Sequence, residues 1–277
     1  MKLVSFSVGD SNVRPGALAQ ESVVDFAGSG YADTLAVIAD GCNHAGNSSA
    51  YVRHKLSEVR LHTPLSNPPR VFAIGLNYRD HAAEAKMQLP KFPVVFFKLT
   101  TAIIGPGQPI VLPKNSNEPD YEAELAFVIG KGGYRIPAAE WREHVYGYTI
   151  VNDVSARDVQ MSTSQWSLAK SFPSFCPIGP WIMTADEIAD PHQLSISLTI
   201  GNEVLQNSNT REMVFRIPEL IEYISSITPL LPGDIVSTGT PSGVGMGRSP
   251  KRWLNAGEAV TVTVEGIGSL TNPVVAE

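Results

Sequence analysis

The chain predicts a mostly β fold with some helix, an α+β arrangement built as a sandwich or rolled sheet. Three observations predict it. From Val71 onward the 277 residues break into many short runs rich in β-branched and aromatic side chains. Gly and Pro, 23 and 21 of them, recur between those runs as turn formers. Helical periodicity is scarce, so strands do not alternate with helices as a doubly wound α/β sheet requires.

Residues 1–66 read as a small N-terminal α/β domain. MKLVSF and SVVDF predict short strands about a Gly/Pro turn, YADTLAVIAD predicts a helix, and a second helix is expected from Ser49 to Leu56. The stretch TPLSNPPR at 63–70 has the Pro-rich, polar composition of a linker. Residues 67–277 then form the larger domain. Strands are expected at 71–74, 94–97, 110–112, 122–129, 145–152, 181–183, 194–200, 203–205, 235–238 and 260–265, with helices near 78–86 and 217–227. Gly201 and Asn202, between two alternating runs, predict a hairpin turn.

Composition narrows the function. Hydrophobic residues make up 43%, as in an ordinary globular protein, and the net charge is −6. No run of Lys or Arg exceeds two residues, which argues against a nucleic-acid partner. No apolar stretch is long enough for a membrane span, and MKLVSFSVGD lacks the core of a signal peptide, so a cytoplasmic location is expected. Cys42 and Cys176 are too few and too far apart for a disulfide framework or a zinc site.

Three carboxylates carry the chemistry. Glu122 and Glu124 lie in DYEAELAFVIG, and strand side chains alternate with period two, so both acids share one face. Adjacent acids repel and lose hydration if covered, and a divalent cation relieves both problems. Asp153 ends a second apolar run in YTIVNDVSARD and could complete the cluster. An all-carboxylate set suits a hard ion, Mg²⁺ or Mn²⁺ and in vitro Ca²⁺, with about half of an octahedron left for water and substrate. The competing explanation is a solvated strand face.

Other residues surround this cluster. His81 and Glu84 sit three apart on an expected helix, where Glu84 can orient the imidazole as in a general-base pair; an ordinary surface His–Glu pair fits the spacing too. Arg157 and Gln160 are neighbours on the next helical turn, Arg157 offering either a carboxylate fork or a salt bridge back to Asp153. Lys170 lies in an apolar, aromatic loop and needs an anionic partner, whereas Lys98 reads as a strand-end lysine reaching water. The loop STGTPSGVGMG is Gly-rich without a phosphate-loop ending; Thr238, Thr240 and Ser242 offer hydroxyls there. Trp166, Phe172, Phe175 and Trp181 read as core more than as pocket wall, and Met246 as surface or a pocket rim.

Taken in order, GLNYRDHAAE, DYEAELAFVIGK, GYTIVNDVSARDVQ, AKSFPSFCPIGPW, GDIVSTGTPSGVG and VEGIGSLTNPV resemble the fumarylacetoacetate hydrolase family over about residues 70–275. The resemblance implies a mixed β-sandwich roll, usually a homodimer. It implies metal ligation by Glu122, Glu124 and Asp153, a His81–Glu84 catalytic dyad with Lys170, and substrate contacts from Arg157, Gln160 and Thr240. The substrate it implies is a small 2-oxo acid. The expected activity is metal-dependent hydrolysis of a carbon–carbon bond in an acylpyruvate or related 2,4-dioxo acid. The alternatives are oxaloacetate decarboxylation, isomerisation or hydration at the same site, or a non-catalytic metal-dependent binding protein.

Overall fold

The computed structural model describes residues 1–42 and 51–277. Among them the larger sheet has twelve strands, most on one path that runs Arg53–Lys55, Ser22–Asp25, Arg14–Ala19, Lys2–Val8, Cys176–Thr184, Val145–Asn152, Ala123–Ile129, Ile235–Ser237, Val71–Gly75 and Val94–Lys98. A smaller five-stranded sheet runs Glu203–Asn209, Ser195–Ile200, Ala259–Val264, Gly268–Ala276 and Ile110–Leu112. The fold is mostly β with mixed sheets, as expected.

Burial explains how the sheets stack. In Ala259–Val264 exposure alternates, so one face of the small sheet is packed and the other is wet. Every residue of Ala123–Ile129 is buried, because both faces of that strand are covered. Leu125, Phe127 and Ile129 pack in one core with Leu198 and Val262 of the small sheet. Ala126 and Val128 point the other way, into a core with Val37, Ile38, Val71 and Ile235.

The structure departs from the sequence reading in the N-terminal region and at the last strand. The Gly/Pro segment between the first two expected strands is itself a strand, Arg14–Ala19, in which Pro15 and Gly16 are accommodated by pairing with Ser5 and Val4. No helix covers 51–56: Arg53–Lys55 is a strand paired with Ser22–Val24, while Ser49 and Ala50 lie outside the described residues. The stretch 63–70 is tied down, with Thr63, Pro64 and Leu65 buried and Ser5 Oγ donating to Pro64 O at 3.0 Å. The last strand, Gly268–Ala276, was not anticipated; Gly and Pro within it hide a clean exposed–buried alternation. No helix among the described residues is long and apolar enough to cross a membrane.

Two strands far apart in sequence close the large sheet beside the site. Val71–Ala73 pairs in parallel with Ile235–Ser237. Arg70 locks the start of that pairing: its Nε donates to Asp234 Oδ1 at 3.0 Å and its Nη1 to Thr228 Oγ1 at 3.2 Å. Asp234 is completely buried. Removing its partner strands a charge, which costs about 3 kcal/mol at the lower end of the range for buried pairs, since Arg70 is partly wet. We expect R70M to lower the denaturant midpoint accordingly; an unchanged midpoint would reduce the pair to a surface contact.

Candidate active site and metal centre

Strand register builds the acid cluster. Ala123 pairs with Asn152, so Glu122 and Asp153 lie across from each other at the strand ends, and the Asp153 N–H donates to Glu122 O at 2.9 Å. Glu124 is two residues further along the same strand. All three carboxylates are buried, and one oxygen from each falls within 4.8 Å of the others. That spacing is what one hard cation with three carboxylate ligands needs.

Cations hold this charge in place. Lys170 Nζ donates to Glu122 Oε2 at 2.5 Å and to Asp153 Oδ2 at 2.7 Å. Arg157 donates from Nη2 to Glu122 Oε1 at 2.5 Å, from Nε to Asp120 Oδ2 at 2.8 Å and from Nη1 to Gln160 Oε1 at 2.8 Å. The Arg157–Gln160 neighbourhood is the one the spacing predicts. The salt bridge from Arg157 back to Asp153 does not form, because the guanidinium turns toward Asp120 and Glu122 instead.

Two members of the cluster escaped the sequence reading. Lys98 does not reach water: it is buried, and its Nζ donates to Asp153 Oδ1 at 2.5 Å and to Val154 O at 3.3 Å. The strand end is covered by the 167–171 segment, where Ser171 Oγ accepts the Leu99 N–H at 3.0 Å, so no path to solvent remains. Asp120 anchors Arg157 and also accepts the N–H groups of Gly245 and Met246 at 2.7 and 3.0 Å. Period-two counting back from Glu124 through Glu122 could have found Asp120.

The two glutamates are driven in opposite directions. Burial alone would raise the Glu122 carboxyl, but Arg157 and Lys170 outweigh it and hold it far below the usual range. Glu124 is pushed well above the usual range, first by burial and then by the charges of Asp153 and Glu122. Its fixed partners are Ser237 Oγ at 2.6 Å and the Gly239 N–H at 3.0 Å. A carboxyl poised this way is the group a divalent ion would deprotonate and bind.

The cluster floors a cavity of about 540 Å³. His81 and Glu84 border it, with His81 Nδ1 3.4 Å from Glu84 Oε2. Glu84 is itself fixed by the Gly243 N–H, 2.9 and 3.1 Å from its two oxygens. Thr240 also borders the cavity, but its hydroxyl donates to Ala123 O at 3.0 Å and accepts from Gln206 Nε2 at 2.8 Å. Thr238 is spent on Leu125 O, and Ser242 on Asp80. Trp166 and Met246 reach the cavity wall, whereas Phe172 and Phe175 belong to the core.

The chain is similar to known proteins in sequence and in fold. Residues 70–275 match the family described as fumarylacetoacetate (FAA) hydrolase C-terminal. A mitochondrial oxaloacetate tautomerase of Xenopus laevis is 46% identical over 221 residues, 79% of this chain and 69% of that protein. A maleylpyruvate hydrolase of Sphingobium sp. SYK-6, solved with manganese(II) and pyruvate, superposes with a TM-score of 0.84 at 30% identity, covering 100% of this chain and 99% of that one. A 2-hydroxyhepta-2,4-diene-1,7-dioate isomerase of Mycobacterium marinum does so with a TM-score of 0.82 at 35% identity and the same coverage.

Two measurements follow from the acid cluster. Metal ligands must be deprotonated, so Mn²⁺ affinity should weaken as pH falls, and the loss should begin above the ordinary glutamate range because Glu124 binds its proton unusually tightly. Titration calorimetry in buffers of different ionisation enthalpy, run just above the ordinary glutamate range, should show proton release on binding; no release there would remove the raised Glu124 carboxyl from the account. Lys98 fixes Asp153 from behind, so K98M should weaken Mn²⁺ binding about 10–100-fold. Unaltered affinity would assign Lys98 to packing alone.

Proposed function

This chain belongs to the fumarylacetoacetate hydrolase family, and we propose that within it the protein is a metal-dependent hydrolase of acylpyruvates or related 2,4-dioxo acids. The carrying observation is that one cavity holds both the acid cluster and a histidine oriented by a carboxylate, His81 with Glu84. An enzyme that only polarised a 2-oxo acid would need the cluster; one that also adds water needs a base beside it.

Glu122, Glu124 and Asp153 would hold the ion, Mg²⁺ or Mn²⁺, the donor set being all oxygen. When bound, that ion supplies Lewis acidity toward the carboxylate and 2-oxo oxygens of the substrate. The protein's own groups do the rest. With Nδ1–H donating to Glu84, the His81 Nε2 is left as a base, and it takes a proton from water. The water oxygen bonds to C4, the C3–C4 bond breaks, and its electron pair passes to C3 as the enolate of pyruvate. His81 returns the proton to C3, giving pyruvate and a carboxylic acid. Lys170 places positive charge beside the carboxylates where the enolate develops, an electrostatic contribution already oriented before reaction. Gln160 spends its carbonyl oxygen on Arg157 and so offers its amide NH₂ to substrate. Arg157 and Thr240 shape the same wall. This reading includes a cytoplasmic homodimer.

A second reading is keto–enol tautomerisation of oxaloacetate, favoured by the 46% identity to the frog enzyme. It needs the same base to move a C3 proton and no added water. Product analysis separates the two. Purified protein with Mg²⁺ or Mn²⁺ is offered acetylpyruvate and oxaloacetate separately, with an EDTA control. Pyruvate and acetate from acetylpyruvate, abolished by EDTA, support hydrolysis. Enol–keto equilibration of oxaloacetate with no cleavage of acetylpyruvate moves the assignment to tautomerase, and pyruvate with CO₂ moves it to decarboxylase. H81A should lower turnover roughly 10²–10⁴-fold while Mn²⁺ still binds; undiminished turnover would remove His81 from the chemistry.

A further inference from the structure

Apart from His81 and Glu84, the charged residues bordering the cavity are those of the acid cluster and its cations. An apolar wall is formed by Met87, Met161, Met246, Phe96, Trp166 and Val244, with Met87 and Met161 on its exposed side. Met161 and Met87 are 72% and 51% exposed, so apolar side chains stand between the polar centre and solvent. Trp166 is fixed in this wall. Its ring packs edge-on to Phe96, with centroids 5.7 Å apart, and lies so close to Gly75 that a Cβ there would meet it at 2.4 Å.

Among the described residues, the only cations bordering the cavity are Arg157 and Lys170, and both are already engaged. Each nitrogen of the Arg157 guanidinium has a side-chain partner, and Lys170 serves Glu122 and Asp153. Glu84 adds a further negative charge beside them. The buried charges point the same way. Four carboxylates, Asp120, Glu122, Glu124 and Asp153, face three cations, Lys98, Arg157 and Lys170. Counted for these buried groups, without the partly exposed His81–Glu84 pair, a divalent ion turns the deficit of one into an excess of one, which a single substrate carboxylate neutralises. A second carboxylate would lie without a counter-charge in a wall of methionine and tryptophan, where burying an unpaired charge is costly.

We propose that the outer half of the cavity binds the apolar tail of a monoanionic 2-oxo acid, with Met161, Met246 and Trp166 determining that specificity. Methionine suits the task, because its flexible thioether adapts to tails of different shape. The proposal rests on the 2-oxo acid reading above and deepens it: the group beyond the reacting carbonyl is an alkyl or aryl substituent, not a carboxylate.

The test is calorimetric binding to Mn²⁺-loaded protein of pyruvate, 2-oxobutyrate, 2-oxopentanoate and 2-oxohexanoate, with 2-oxoadipate as the charged match to the last. Affinity should rise about fourfold for each methylene that reaches the apolar wall, and 2-oxoadipate should bind at least roughly tenfold more weakly than 2-oxohexanoate. M161K and M246K place an ammonium at that wall and should reverse this order. Equal or tighter binding of 2-oxoadipate by the unaltered protein would overturn the apolar-tail proposal and leave the 2-oxo acid reading standing. Binding of none of the five would overturn both.

Discussion

Everything near the cavity follows from the difficulty of burying carboxylates. Asp120, Glu122, Glu124 and Asp153 are almost completely removed from water, and each would be far too costly there alone. Lys98, Arg157 and Lys170 are drawn in from three separate segments to compensate, and their own burial is tolerable only because the acids are present. Neither set can be removed without stranding the other. The compensation stops one charge short, and Glu124 bears the shortfall as a carboxyl reluctant to ionise.

The sheets make the arrangement rigid. Glu122 and Glu124 stand at one end of a strand covered on both faces, and Asp153 follows directly on its hydrogen-bonded neighbour. Of the two residues that hold Glu124, Ser237 ends the strand on the other side of it and Gly239 follows that strand. The carboxylates therefore inherit the positions of three adjacent strand ends. By contrast, His81 and Glu84 lie on a helix of only six residues, attached to the site through the Gly243 loop. The charged centre is fixed by the sheet, and the base is placed by a lighter element at its edge.

Much of the site was legible in the sequence because it obeys local rules. Period two aligned Glu122 with Glu124, and helical spacing joined Arg157 to Gln160 and His81 to Glu84. Lys98 was misread because its fate depends on a segment some 70 residues away that covers the strand end, and nothing local announces that cover. Arg157 was open to two readings for the same reason: the local option, Asp153, competes with Asp120 and Glu122, which only the sheet brings near. The N-terminal errors have another origin. Pro15 and Gly16 carry strong turn propensity, and tertiary pairing with the first strand overrides it. The mostly β character survived these errors because it rests on many independent runs.

The parallel pairing of Val71–Ala73 with Ile235–Ser237 has a consequence for how the molecule comes to exist. Those strands are separated by more than half the chain, and the Arg70–Asp234 contact that secures them spans 164 residues. Pairings this distant in sequence place a β fold among slow folders, because chain entropy is spent long before the contact returns anything. Ser237 and Gly239 reach Glu124 through the other side of the same strand, which pairs with Ala126–Val128, again more than 100 residues distant. A chain emerging from synthesis can thus gather its three acids through the nearer pairing of Ala123 with Asn152, but Glu124 lacks Ser237 and Gly239 until those residues have been made, and a completed centre is itself the sign that folding has finished.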